Sequence, residues 1–517
     1  MAWISAPEVK DSYPQASLSE LKTVNGLSYD PNAQKDDPLS VRLVDNENPL
    51  ADFDKLPTEL LVKIFHHARA DSLYDAHNEK QRYPVALSHV CRYWRTVAIG
   101  APTLWTDIRG LYYTEEAKEA TRVYLERSKT CPLFFTWFTE GGMLPDDIPA
   151  IVRNIITPEK ERWQRITLIT HMKTTLGDFL TAIESLDFPI LQDVEISCDM
   201  ISEPFSPKST LCRSTPLLRR CRFRDTISLP ALPSDLVVLD FVSLAHGSEF
   251  DLDPFLEFLP HVAHSLEHLR FGPPPASTVH FTPGAPKIPL ENLKSLLITH
   301  SHVIMNHILA PNVTYFVAAN SRGADPSGAA EMFQGFSAPK LRSIQFHNTP
   351  LFPLLAMHNL PSMFPQLESV RLSDCTNESA FVLLLANAFS HLKELTISDV
   401  TVWTSLQAAI EKHLKNGNKS LRKIQLPKGD ATETVILRRW LPARGIELVL
   451  YEPEELPMST PEFQDESCDE EDNLFIETTM RGSELGDDDY DYGLPSYVDS
   501  RRHQDIVYDF DYEEGYE

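Results

Sequence analysis

The chain is short of glycine, with 19 glycines against 39 prolines in 517 residues. Each proline fixes φ and removes a backbone donor, so this balance excludes a long smooth helical bundle and favours many short elements joined by turns. Cysteine is sparse and odd in number, at Cys91, Cys131, Cys198, Cys212, Cys221, Cys375 and Cys468. No two form a C-x-x-C pair, which argues against a zinc ribbon. The longest apolar stretch, around Phe381–Phe389, is about ten residues and too short to span a bilayer. The opening MAWISAPEVKDSYPQ has no charged start followed by an apolar run, so no secretory signal is expected and a reducing compartment, cytoplasmic or nuclear, is. Without secretion, the N-x-S/T triplets at Asn312, Asn377 and Asn418 read as chance. P-loop, GxSxG and Rossmann glycine patterns are all missing, so neither enzymatic chemistry nor a cofactor or small-molecule substrate is expected.

Positive charge is also lacking, and unevenly so. The formal charge is −27, but residues 451–517 hold 23 acidic and 3 basic side chains, a local balance of −20 that leaves −7 for the rest. No basic stripe runs through the body, so a nucleic-acid partner is not expected. An acidic tail would repel anionic lipid as well, so no membrane partner is expected either. What the chain has is apolar material for a sizeable core, at 42% hydrophobic residues.

Structure is expected to begin at Phe53, after a polar, aperiodic and disordered segment 1–50. From Leu56 the chain reads LPTELLVKIFHHARADS. Pro57 suits a first helical turn, and Leu60, Leu61, Ile64, Phe65 and Ala68 make one wide apolar stripe. A polar insert, 71–82, is expected to loop out. YPVALSHVCRYWRTVAIG then reads as a second helix, with Leu87, Val90, Cys91, Trp94, Val97 and Ala98 on its stripe and Gly100 as its stop. APTLWTDI comes next as a third piece with Trp105. Both stripes are wider than so small a module covers from inside, so part of that surface calls for a partner.

These landmarks resemble the F-box in the form common in fungal proteins: Leu-Pro, Glu-Leu-Leu, Ile-Phe, Val-Cys and Trp at matching spacing. YLERSKTCPLFFTWF (124–138) resembles the segment commonly found after the F-box in that group. The insert is longer than in compact F-boxes. The resemblance implies docking to the small adaptor of a cullin–RING ubiquitin ligase. Leu56, Pro57, Leu60, Leu61, Ile64, Phe65, Val90, Cys91 and Trp94 match positions used for that docking or for the core beneath it.

Downstream one pattern recurs: a large residue, two variable positions, an apolar one, one variable, another apolar. It starts at Trp163, Leu191, Leu218, Leu236, Leu266, Leu293, Val313, Leu341, Leu367, Leu392 and Leu421. The mean period of about 26 residues lies within the range of leucine-rich repeats. Each unit is expected to supply a short strand, with segments such as 379–389 forming helices on the other side. The Asn or Cys of a regular internal ladder is nearly absent, Cys375 being the one fit. The expected fold is α + α/β: a small three-helix F-box (51–110), a connecting helix and first strand (111–160), an irregular leucine-rich-repeat-like solenoid (161–451), and an acidic disordered tail (452–517).

Alternation along the strands puts the variable positions on a concave face. A basic island stands out there, Arg220, Arg222, Arg224, His268 and Arg270, suited to an acidic or phosphorylated target or else satisfied by local pairs with Glu195 and Asp240. His261, His264 and His268 have superficial metal spacing but straddle a loop-to-strand junction, and no metal is expected. The function expected is that of a non-catalytic substrate receptor of a ubiquitin ligase, holding the adaptor at one end and an unknown target protein on the solenoid. The alternative is an F-box scaffold acting outside a ligase.

Overall fold

A computed structural model of the chain describes residues 56–71, 79–110, 115–139, 147–170, 173–198, 211, 213–224, 232–242, 250–273, 279–282, 284, 286–300, 303–319, 336, 338–349, 363–373, 375, 391–398, 403–415, 417, 419–428 and 437–451. The expectations for 1–50, for a helix at 379–389 and for the tail from 452 lie outside them. The chain divides into two compact units, 1–60 and 61–517. Of the first, only 56–60 are described.

Three helices open the described chain: α1 (Thr58–Asp71), α2 (Glu79–Val90) and α3 (Arg92–Gly100). They correct one expectation. The segment expected to be one helix from Tyr83 to Gly100 is two, broken at Cys91, and α2 starts inside the stretch taken for a loop. Cys91 is extended (φ −154°, ψ 174°), and its Sγ accepts from the Trp94 N–H at 3.4 Å, capping α3. The Arg95 side chain donates to the Ser88 carbonyl at 2.7 Å, satisfying one open acceptor at the end of α2. A 3₁₀ turn, Pro102–Trp105, then delivers the first strand.

From there fourteen strands form one sheet in strict chain order, every neighbouring pair parallel. They are β1 (Asp107–Gly110), β2 (Leu133–Thr139), β3 (Trp163–Thr170), β4 (Asp193–Cys198), β5 (Arg220–Arg224), β6 (Val238–Val242), β7 (His268–Gly272), β8 (Ser295–Thr299), β9 (Tyr315–Ala319), β10 (Ser343–His347), β11 (Ser369–Ser373), β12 (Glu394–Ile397), β13 (Lys423–Pro427) and β14 (Glu447–Tyr451). The eleven periodic segments are β3 to β13 without exception. All their apolar positions are at most 6% exposed and belong to one core running from Leu61 to Ile446. Parallel neighbours need a crossover. Among the described ones, α4 (Glu115–Ser128), α5 (Lys173–Ile183), α6 (Asp253–Val262) and α7 (Trp403–Lys415) fill that place. α5 buries Leu176, Phe179, Leu180 and Ile183, and α6 buries Phe255, Leu256, Leu259 and Val262, the helical spacing of a single covered face.

The abundance of proline has a local explanation. Ahead of several strands the chain makes the same tight turn, closed by an i→i+3 bond to the large residue that starts the next unit. Leu191, Leu218, Val313, Leu341 and Leu367 donate to Phe188, Thr215, Ala310, Ala338 and Phe364. Pro189, Pro216, Pro311, Pro339 and Pro365 occupy the second position, where a fixed φ is an advantage. The Asn312 side chain reaches back from one such turn to the Glu291 carbonyl at 2.5 Å.

After two strands a side chain bridges successive units. Cys375 Sγ lies 3.4 Å from the Phe346 carbonyl and 3.3 Å from that of Ser373. Thr349 does the same one unit earlier, its hydroxyl meeting the His347 carbonyl at 2.7 Å and that of Ala318 at 3.4 Å.

Gly272 ends β7 where the neighbouring strand comes close: a Cβ there would lie 1.9 Å from Thr299 Oγ1. Gly272→Ala is expected to cost about 1–3 kcal/mol, as overpacking does, and Thr299→Ala should recover part of it. Denaturant unfolding of both single variants and the double checks this. In the same assay Leu296→Ala, fully buried, should cost about 2–5 kcal/mol, and Lys393→Ala, on a partly exposed ion pair with Glu368, no more than about 1 kcal/mol.

Candidate functional site

The helical module and the polar face of the sheet are the two surfaces the sequence singles out. In the module Trp105 is the hub. It is fully buried, donates from Nε1 to the Ala98 carbonyl at 2.8 Å, meets Tyr124 edge-on at 5.0 Å and carries the Arg127 guanidinium 4.3 Å above its ring. His66 on α1 pairs with the Thr103 hydroxyl at 3.0 Å, tying that helix to the 3₁₀ turn. Trp94 is only partly buried and sits edge-on to Phe65 at 4.9 Å. The nine residues matched to docking or core therefore sort into distinct environments. Leu61 (0%) and Phe65 (1%) are core. Cys91 is a helix cap, and Leu56 and Trp94 are half-buried. Pro57 is exposed, and Leu60 (47%), Ile64 (40%) and Val90 (60%) are exposed apolar side chains. The sequence pattern did not single out two more, Val85 (40%) and Ile99 (42%). Among the described residues eight large apolar side chains are exposed, and five of them lie between Leu60 and Ile99. Scattered exposed apolar residues are ordinary, but these five are concentrated in one small segment.

Residues 53–109 match the F-box-like family. The match takes in all three helices and the 3₁₀ turn, so this region is an F-box-like domain. F-box domains typically bind the small adaptor of a cullin–RING ligase, and the proteins that carry them are generally non-catalytic. A search of curated proteins found no match to the chain.

On the polar face the basic island is brought together by register, and much of it is paired. Thr167, Glu195, Arg222, Asp240 and Arg270 are consecutive partners across β3 to β7. Arg222 lies 3.8 Å from Glu195, and Arg270 lies 3.5 Å from Asp240. In the flanking rows Arg224 lies 3.6 Å from Glu195, and Asp193 receives Arg165 at 3.2 Å and Arg220 at 3.6 Å. His268 shares a hydrogen bond with the Ser295 hydroxyl at 2.9 Å. Arg222, Asp240, His268 and Arg270 are all buried. The alternation expected from sequence is present, yet these four are buried like the apolar positions, while Glu195, Arg220 and Arg224 are partly accessible. Buried charges are tolerated only when paired, and alternating acid and base across adjacent strands supplies the pairs.

The three spaced histidines diverge, as His261 pairs with the Phe258 carbonyl, His264 with Asp235 and His268 with Ser295. Among the described residues no group of three or more His, Cys, Asp or Glu is placed to hold a metal, and no helix is long and apolar enough to cross a membrane.

Further along the polar face His347 is buried, with hydrogen-bond partners at neither ring nitrogen. Burial, reinforced by the charge of Arg371, pushes its pKa down to about 3. The unfolded imidazole titrates near 6.5. Between these values the unfolded chain binds the extra proton, so His347 contributes stability above pH ~6.5 that is lost as pH falls toward its folded value. His347→Asn should flatten the decline of unfolding free energy between pH ~6.5 and ~3, measured by urea titration at stepped pH. In the module, Trp105→Ala should cost about 3–5 kcal/mol and Trp94→Ala clearly less, compared through helical signal and protease resistance.

Proposed function

We propose that the protein is a substrate-recognition subunit of a cullin–RING ubiquitin ligase, binding the ligase's small adaptor through residues 53–109 and a target protein through the long parallel sheet. The observation that carries this reading is the F-box-like match over a segment in which apolar side chains face solvent. We read Pro57, Leu60, Ile64 and Val90 as docking residues, with Leu61, Phe65 and Trp94 supporting them from beneath. The sheet supports a leucine-rich-repeat-like solenoid, since its strands come in chain order with a crossover between neighbours. On this reading the chain performs no bond chemistry. It raises the local concentration of a target lysine beside a charged conjugating enzyme, and proximity supplies the acceleration.

Replacement of both Leu60 and Ile64 by Ala tests the docking. An apolar interface concentrates its energy in few anchors, so adaptor capture should fall at least about tenfold while the thermal midpoint stays put. Adaptor capture unchanged in the double variant overturns the assignment of these residues. Recovery of the adaptor without cullin and RING subunits favours a scaffold working outside a ligase.

A further inference from the structure

The charge of the chain changes sign at the end of the sheet. Residues 411–450 hold nine basic and four acidic side chains, a local balance of +5, while 1–410 carry −12 and 451–517 carry −20. Five of these cations, Lys412, Lys419, Arg422, Arg438 and Arg439, are exposed and have no ion pair among the described residues. They come from the last two crossovers, α7 and the segment 437–444, and from the entry to β13. Arg444 is exposed beside them, its guanidinium 3.9 Å from the Trp440 ring. The same unit leaves the sheet open. The Glu447 N–H donates to the Arg422 carbonyl and the Tyr451 carbonyl accepts from the Lys428 N–H, both at 2.7 Å. In a parallel pair alternate residues bond to one neighbour, so the N–H and C=O groups of Leu448 and Leu450 point away from β13. Among the described residues no strand follows on that side. An uncovered edge of this kind is a template for pairing with another chain.

We propose that the acidic run 465–472 of this same chain folds back onto that basic face, and that the returning segment covers the open edge of β14. The run holds six carboxylates and no cation in eight residues. Chain length favours it over the more distant acidic runs. The cations of 437–444 precede β14, whereas the tail leaves from its far end at Tyr451, so the return must cover the length of the strand. β14 has five residues, or roughly 16 Å. The run begins fourteen residues after Tyr451, and an unconstrained coil of fourteen residues spans about 20 Å. A tethered contact is strongest where the span of the tether matches the gap it must close. The direct route back lies along the open side of β14, because β13 occupies the other. Repeat arrays need a polar cap on their terminal units, and a charged segment laid along the edge supplies one. A second copy of the chain is a poorer occupant, since each copy carries −27 and repels the other. The inference involves neither adaptor nor target and so stands apart from the receptor reading.

The test uses the purified full chain. A zero-length carbodiimide cross-linker joins carboxylates to lysines in contact, and mass spectrometry of the monomer band should find 465–472 linked to Lys412 or Lys419. The links should fade between 0.1 M and 1 M salt, where the screening length falls from about 10 Å to about 3 Å. Hydrogen exchange then reads the edge. In a full-length chain with the six carboxylates of 465–472 changed to their amides, β14 should exchange about fivefold or more faster, as the loss of a few exposed ion pairs allows. Arg438→Gln with Arg439→Gln should act in the same direction. Exchange in β9, far from the tail, serves as the control for fold, and raising the salt on the unaltered chain gives a readout that no variant can spoil. Links found only between two chains make a second copy the occupant and overturn the proposal. So do links indifferent to salt, an absence of links from 465–472 to either lysine, or β14 exchange unchanged by both salt and neutralisation.

Discussion

Every strand of this sheet can complete its backbone hydrogen bonds only with the units on either side, and the rest of the structure depends on that constraint. A buried parallel strand with an unmatched edge would leave amides and carbonyls without partners, so no single unit is stable alone. The apolar triplets set which way each strand faces. The turns ahead of the strands set where it starts. The ladder then carries register from one unit to the next, and so fixes which polar side chains meet on the second face. Glu195, Arg222, Asp240 and Arg270 are neighbours in space because Val194, Cys221, Leu239 and Leu269 are neighbours in the core.

The period was legible because three apolar residues per unit point one way, and eleven repetitions outweigh the weakness of each match. The first, second and last strands carry no such triplet. Leu448 and Leu450 of β14 are only partly buried, in keeping with a strand that has a neighbour on one side, so the signal there is faint. The bridging residue was legible at Cys375 and not at Thr349. The position calls for a small side chain able to reach two carbonyls, and a hydroxyl serves as well as a thiol or an amide. Searching for residue identity hid a role defined by hydrogen-bonding capacity.

The helix break at Cys91 illustrates a different limit. The apolar stripe from Leu87 to Ala98 holds helical spacing straight through it, because the two helices pack on the same core. A thiol is a weak cap, and the clamp that closes the other end, Arg95 on the Ser88 carbonyl, depends on tertiary placement. Burial among the docking candidates was equally hidden. Leu60 and Leu61 are adjacent and chemically alike, yet one is nearly half exposed and the other fully buried. A stripe shows which residues are apolar. Which edge of it the protein itself covers is decided by packing.

The linear order of the strands has a kinetic and evolutionary corollary. No strand near the amino end pairs with one near the carboxyl end, so each closure involves the loop between consecutive units and costs a similar entropy whatever the total length. Long-range pairing, the usual brake on folding of β proteins, is absent by construction among the described strands. Damage to one unit in the middle cuts the sheet into two fragments with fresh edges, whereas damage at an end removes one neighbour. Tolerance to substitution, insertion or loss of a whole unit should therefore be graded along the chain, greatest at its two ends and least near β7, so that a chain of this kind can change length without changing its plan.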